Sequence, residues 1–131
     1  MPGPVRDGHY PYQAPIDAYG NGGFRFADMS HRGSLLCLPS GMHAWEVSEP
    51  AGISESSLSA PLASDSEIEV FFLGTGEDIV FLDPAIRALF SERGIIVEPM
   101  STGAAVRTYN VMLGEKRPVG AGLIAVERAK R

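Results

Sequence analysis

The 131-residue chain carries 11 Lys and Arg against 16 Asp and Glu, for a net charge of −5, and is 44% hydrophobic and 21% charged. That predicts one globular domain able to bury about two-thirds of its unfolded surface and excludes a two-domain enzyme, while the net acidity argues against sequence-independent phosphate binding. A single cysteine, Cys37, excludes an intramolecular disulfide and any Cys-cluster zinc site.

The opening Met-Pro-Gly-Pro-Val-Arg-Asp-Gly has no apolar signal core, and no run approaches the roughly 20 apolar residues of a membrane span. The expectation is a soluble, intracellular protein. Residues 1–15 hold four prolines and two glycines, which predicts a flexible tail, mobile or loosely docked, ahead of a single domain over 16–131. Short β segments follow at Ile16 to Tyr19, Phe24 to Phe26 and Met29 to Arg32, the first two joined by Gly20-Asn21-Gly22-Gly23. Ser34 to Leu38 and His43 to Val47 read as strands around the turn Pro39-Ser40-Gly41. Cys37 lies within Leu35-Leu36-Cys37-Leu38, where a buried, inert thiol is expected.

The stretch from Ser48 to Ser66 is rich in Ser and Ala, with Ser54 placed to cap a short helix through about Ala60. Ile68 to Leu73 is a nearly continuous apolar run, as in a strand buried on both faces, and closes on Gly74-Thr75-Gly76. Asp83-Pro84 then caps a helix that stops at Gly94. Ile95 to Val97 reads as a strand ending at Pro99. Ser101 or Thr102 caps a helix to about Leu113, and Val119 to Val126 is the last strand. The order predicts an α/β fold with a mostly parallel sheet and an antiparallel addition.

Charge is unevenly distributed. Residues 1–32 balance three basic residues against three acids, 33–86 hold nine acids and no Lys or Arg, and 87–131 hold eight basic residues and four acids. In a compact fold much of this asymmetry is expected to be internal complementarity. The remainder is an exposed acidic connection at Glu46 to Glu67 and a basic tail at the C-terminus.

Candidate chemistry is sparse. His9, His31 and His43 lack metal-ligand spacing, no Ser stands in G-x-S-x-G, and Glu77, Asp78 and Asp83 are explained by a turn and a cap, so neither a catalytic set nor a metal or cofactor site is expected. If the strands before Gly74-Thr75-Gly76 and Ser101-Thr102 are parallel neighbours, their loops share one carboxyl edge, where open α/β sheets bind ligands. The helix start offers free N–H groups for an anion, but no nucleotide fingerprint is present. The alternative is a tight turn beside an ordinary cap. Ala105, Tyr109 and Met112 form a core stripe on that helix. Arg107 and Asn110, one turn apart, either read a ligand or partner together or tie the helix end to its loop, through Arg107 to Glu115 or through Asn110.

The order Leu38-Pro39…Trp45, Phe72-Leu73-Gly74-Thr75-Gly76, Val97-Glu98-Pro99, the block Met100-Ser101-Thr102-Gly103-Ala104-Ala105-Val106-Arg107-Thr108-Tyr109-Asn110, and Glu115-Lys116-Arg117-Pro118-Val119 carries a resemblance. From Ile16 to Val126 the chain resembles a family of small single-domain proteins whose eukaryotic members include assembly factor 3 of mitochondrial NADH:ubiquinone oxidoreductase, respiratory complex I. The resemblance implies a three-layer α/β domain with a central mixed five-stranded sheet, helices packed on it and an added N-terminal β hairpin layer. It implies a non-enzymatic accessory role through protein partners, such as subunits of a membrane complex, without nucleic acid. For a bacterial-type member it places the protein in the cytoplasm, peripheral to the inner membrane. Gly74, Thr75, Gly76, Thr102, Arg107, Tyr109 and Asn110 occupy the family's motif positions and, with Ser101, form the candidate ligand- or partner-binding set. Lys116-Arg117 departs from the Gly-Arg commoner there. The competing expectation is a small-molecule or anion-binding domain, an enzyme included, with its cleft at the carboxyl edge and Arg107 holding the anion. A third is a module that dimerises through the small residues Gly120 to Gly122.

Overall fold

In the computed structural model, which describes residues 10–63 and 68–129, the first three strands form a sheet of their own. β1 (Ala18–Gly20), β2 (Gly23–Phe26) and β3 (Met29–Arg32) pair antiparallel in that order. The β1–β2 turn places Asn21 and Gly22 at φ 53° and 77°. This is the two-residue hairpin whose left-handed backbone matches strand twist and favours Asn-Gly.

The second sheet contains β4 (Ser34–Leu38), β5 (Gly41–Trp45), β6 (Val70–Gly74), β7 (Ile96–Met100) and β8 (Val119–Leu123), in the order β5-β4-β8-β6-β7. β6 runs parallel to β7 and β8, and β4 antiparallel to β5 and β8, so the sheet is mixed. Successive β6 residues point to opposite faces. Phe72 enters a core with Phe24, Phe26, Leu35, Cys37 and Tyr109, while Phe71 and Leu73 enter a second core with Trp45, Leu58 and Phe90. Both faces are covered, which is why the run reads as continuously apolar. β8 alternates likewise. A Cβ on Gly122 would stand 3.0 Å from the Trp45 ring and one on Gly120 3.1 Å from Phe71, so these small residues admit the aromatics of the second core.

Among the described residues three α-helices cover the sheet: α1 (Ser59–Ala63), α2 (Pro84–Ser91) and α3 (Thr102–Gly114). α2 starts where Asp83 accepts a hydrogen bond from Ala85 N (2.8 Å) with Pro84 in the first turn, and it is closed by Ile95 N donating to Phe90 O (3.0 Å). Ser101 caps α3 by accepting from Ala104 N (3.3 Å).

Beyond end shifts such as that of β8, which stops at Leu123 rather than Val126, four features differ from the sequence reading. β5 begins at Gly41, not His43, because Leu38 pairs with Gly41 across the two-residue turn Pro39-Ser40. Gly41 sits at φ 137°, where a Cβ would lie 2.2 Å from Tyr10 O. β7 continues through Pro99 to Met100, tolerated because β7 is an edge strand. The helix expected over 54–60 is replaced by a turn, in which Ser57 N donates to Ser54 Oγ (3.2 Å), followed by α1. Pro61 has no N–H to offer Ser57 O, and that carbonyl instead accepts from Trp45 Nε1 (2.8 Å).

The tail is the fourth difference. Residues 1–9 lie outside the described residues, but Tyr10 bridges to Met42 and Ala14 and Ile16 are buried in the first core. Gln13 Nε2 donates to Val119 O (2.7 Å). Residues 10–15 are thus docked, held by contacts with strands far away in the chain.

Cys37 is fully buried against Tyr109. Burial pushes the Cys37 thiol well above its ordinary value, partly offset by the Tyr109 hydrogen bond. Burial, reinforced by Cys37, raises the Tyr109 phenol. Both are neutral when protonated and in the unfolded chain lose their protons near about 8.5 and 10. Above those values the unfolded chain binds fewer protons than the folded one, so stability falls as pH rises. Urea midpoints should hold steady to about pH 8 and then decline, each group adding a slope approaching roughly 1.4 kcal/mol per pH unit. A midpoint unchanged between about pH 8 and 10.5 would contradict the burial of this pair.

Candidate interaction site at the carboxyl edge of the sheet

β6 and β7 are parallel neighbours, so Gly74-Thr75-Gly76 and Ser101-Thr102 do meet at one edge. They meet by bonding each other rather than by facing across a cleft. Thr75 N donates to Met100 O (2.9 Å), Thr102 N to Gly76 O (2.8 Å) and Gly76 N to Thr102 Oγ1 (3.1 Å). Thr102 Oγ1 donates in turn to Ile124 O (2.7 Å), and Ile124 N to Gly74 O (2.9 Å). Thr102 is wholly buried, and a Cβ on Gly74 would lie 2.9 Å from Thr102 Cα. Of the N–H groups at the helix start that sequence offers to an anion, those of Thr102 and Ala104 are engaged within the fold, as is that of Gly76 on the facing loop.

The same network braces a loop. Thr75 Oγ1 accepts from Val80 N (3.0 Å) and lies 2.7 Å from Asp78 O and 3.1 Å from Met100 O, to which its proton is donated. Thr75 is itself buried. It fixes the backbone of residues 78–80, and from this braced segment Ile79, Val80 and Phe81 stand 47%, 42% and 81% exposed. Beneath them Leu82 and Ile86 pack on the second core. A groove of about 190 Å³ separates Val80, Phe81 and Asp83 from Pro50, Ala51 and Ile53. Three consecutive exposed apolar residues are uncommon on a monomer surface, which makes this loop the candidate contact site. Sequence reading missed them. The available signal was Ile79-Val80-Phe81-Leu82, four apolar residues where only a connection between Gly76 and Asp83 was expected.

The most specific motif block lies on α3, and its side chains have diverging roles. Tyr109 is fully buried and donates to Ala14 O (2.7 Å). Asn110 clamps the backbone of Ile16, Nδ2 donating to Ile16 O and Oδ1 accepting from Ile16 N, each at 2.8 Å. Together they dock the segment ahead of β1. Arg107 is exposed and has no hydrogen bond or ion pair among the described residues, so the expected tie to Glu115 is not made. Arg107 and Asn110 therefore do not converge on one target. α3 ends with Lys116 left-handed at φ 62°, Lys116 N donating to Leu113 O (2.9 Å) and Arg117 N to Met112 O (3.0 Å). This closure favours glycine, which gives the Lys116 departure a local cost of roughly 1 kcal/mol.

His31 Nε2 is within 2.8 Å of Ser34 O and His43 Nε2 within 3.1 Å of Ser40 Oγ, while His9 lies outside the described residues. Among the described residues no group of three His, Cys, Asp or Glu could hold a metal ion. No described helix is long and apolar enough to cross a membrane.

Residues 16–124 match the model of a family described as a protein of unknown function (DUF498/DUF598). The chain belongs to this family. An uncharacterised protein of Rhodobacter capsulatus is 38% identical over 115 residues, covering 88% of this chain and 87% of that one. NADH dehydrogenase (ubiquinone) 1 alpha subcomplex assembly factor 3 of Mus musculus is 32% identical over 115 residues, 88% of this chain but 62% of the relative, so the chain spans about three-fifths of that protein's length. The crystal structure of an outer membrane protein from Bartonella henselae superposes with a TM-score of 0.87 at 51% identity, covering 91% of this chain and all of that one. The shared span includes both sheets, α3 and the braced loop.

Proposed function

We propose that the protein is a non-enzymatic accessory factor that works through protein contacts at the carboxyl edge of the larger sheet, and that its client is a membrane protein complex, respiratory complex I first. The observation that carries this reading is the loop of Ile79, Val80 and Phe81, held outward by the buried Thr75 hydroxyl. A protein with no use for this surface gains nothing from exposing a phenylalanine, since burying one stabilises by roughly 1.5–3 kcal/mol. The likeness to the mouse assembly factor supports complex I as the client. This reading entails a cytoplasmic protein at the periphery of the inner membrane.

Deletion of the gene in the native host, followed by native gels and NADH:ubiquinone oxidoreductase activity of the membranes, tests the client. Assembled complex should fall and return with the parent gene. Normal complex levels in the deletion strain would sink the complex I assignment.

A further inference from the structure

We infer that the braced loop and its groove receive a basic amphipathic segment of a partner protein, with apolar side chains set on Ile79, Val80 and Phe81 and Lys or Arg around them. The inference rests on the proposed role in protein contacts and names the partner's chemistry.

The apolar half follows from exposure and from the adjoining groove of about 190 Å³, whose walls are Pro50, Ala51 and Ile53 on one side and the loop on the other. The Thr75 bonds to the loop hold it in one geometry, which lowers the ordering cost of association. The basic half follows from the rim. Glu77, Asp78 and Asp83 are exposed on the loop, and exposed Glu49 precedes Pro50 on the facing wall. No Lys or Arg occurs between Gly33 and Ile86, and none is among the described residues that line the groove. The nearest cation in sequence, Arg87, turns a guanidinium N–H to Val97 O (3.2 Å). Among the described residues the one ion pair is Arg117 with Glu69, so Glu49, Glu77 and Asp83 are not neutralised by a chain cation. An apolar centre bordered by the unneutralised carboxylates of Glu49, Glu77 and Asp83 selects positive charge in its partner and repels an anionic lipid surface.

The test uses the full chain and a fluorescein-labelled amphipathic peptide of roughly 15 residues, Leu on one helical face and Lys on the other, with a counterpart carrying Glu for Lys. The Lys peptide should bind in anisotropy titrations, more weakly as salt rises, and bind about tenfold more weakly to Phe81→Ser and to Glu77→Lys. Glu92→Gln, a remote acid, should bind as the parent does. Phe81→Ser alters a side chain outside the core and should melt with the parent, and Val80→Ser serves as a second loop variant.

Equal binding to the parent, Phe81→Ser and Val80→Ser would overturn the inference in favour of diffuse attraction to an acidic protein. Equal binding of the Glu peptide would overturn the basic class. A parent dimer in sedimentation equilibrium that becomes a monomer in Phe81→Ser would overturn it in favour of a second copy. Phe81-dependent binding to phosphatidylglycerol vesicles would do so in favour of a membrane. If the peptide fails while Phe81→Ser still fails to restore the deletion strain, the basic class falls and the accessory role stands. If the peptide binds through Phe81 and Phe81→Ser restores the strain fully, docking stands and the proposed role falls.

Discussion

Tyr109→Ala should destabilise the protein by about 3–5 kcal/mol, the largest effect of any single truncation proposed here. The ring is wholly buried in the first core, where hairpin, sheet and α3 converge, so its removal leaves a cavity that neither sheet can collapse to fill. The phenol also donates to Ala14 O. Tyr109→Phe isolates that bond and should cost about 1–2 kcal/mol, because one buried carbonyl loses its donor while the ring stays. Asn110→Ala leaves both backbone groups of Ile16 without side-chain partners and should cost about 1–3 kcal/mol. Urea denaturation of the three variants checks the order. Amide exchange at Ala14, Ile16 and Asp17 separates the mechanisms: in Asn110→Ala these residues should exchange faster while the β6 amides stay protected. A Tyr109→Phe loss as large as that of Tyr109→Ala would show that the hydrogen bond, not the packing, dominates.

Local signals made much of the fold legible. The Asp83-Pro84 start of α2, the Ser101 cap of α3 and the apolar run of β6 depend on neighbours within a turn or on strand periodicity, and each occurs near where the residues predict it. What escaped depends on distant pairing. Gly41 resembles a turn residue until Tyr10 lies across it, and residues 10–15 resemble a tail until Tyr109 and Asn110 reach back more than ninety positions to hold them. Gly74-Thr75-Gly76 and Thr102 were recognisable as one edge, but the role of their hydroxyls was not. Whether Thr75 faces a ligand or braces a loop depends on the β6–β7 register and on the path of residues 77–82, neither of which has a local code.

The charge split has a similar history. Complementarity between the acidic middle and the basic last third is realised among the described residues by one ion pair, Arg117 to Glu69 at 3.0 Å, with both side chains about half exposed. An exposed pair of this kind contributes about 0–1 kcal/mol. The asymmetry therefore does little to hold the fold together. Part of the expected acidic connection, Asp65 and Glu67, and part of the basic tail, Lys130 and Arg131, lie outside the described residues. The acids that sequence assigns to a turn and a cap, Glu77 and Asp83, also border the exposed apolar loop, Asp83 while capping α2.

Gly74→Val should cost about 3 kcal/mol and should also disturb the loop, because the brace and the fold share this position. A Cβ at residue 74 would lie 2.9 Å from Thr102 Cα and 3.2 Å from a Leu123 methyl. The closest atom belongs to backbone, so relief requires the first turn of α3 to move off the sheet. That movement stretches the bonds of Thr102 Oγ1 to Ile124 O and to Gly76 N, and with them the seam that fixes Thr75. Thr102→Val provides the control for shape. It preserves the volume and leaves Gly76 N and Ile124 O without the hydroxyl, at a cost of about 1–3 kcal/mol. Thr75→Val acts one step further out: it frees Val80 N and Asp78 O, which water can reach, so stability should change by less than in Thr102→Val while the amide of Val80 exchanges faster. Thermal melts together with NMR shifts of Ile79, Val80 and Phe81 distinguish the three. If Gly74→Val melted with the parent and left those shifts unmoved, the close contact between β6 and α3 would not govern the loop, and presentation of Phe81 would have to come from the groove wall at Pro50 to Ile53 instead.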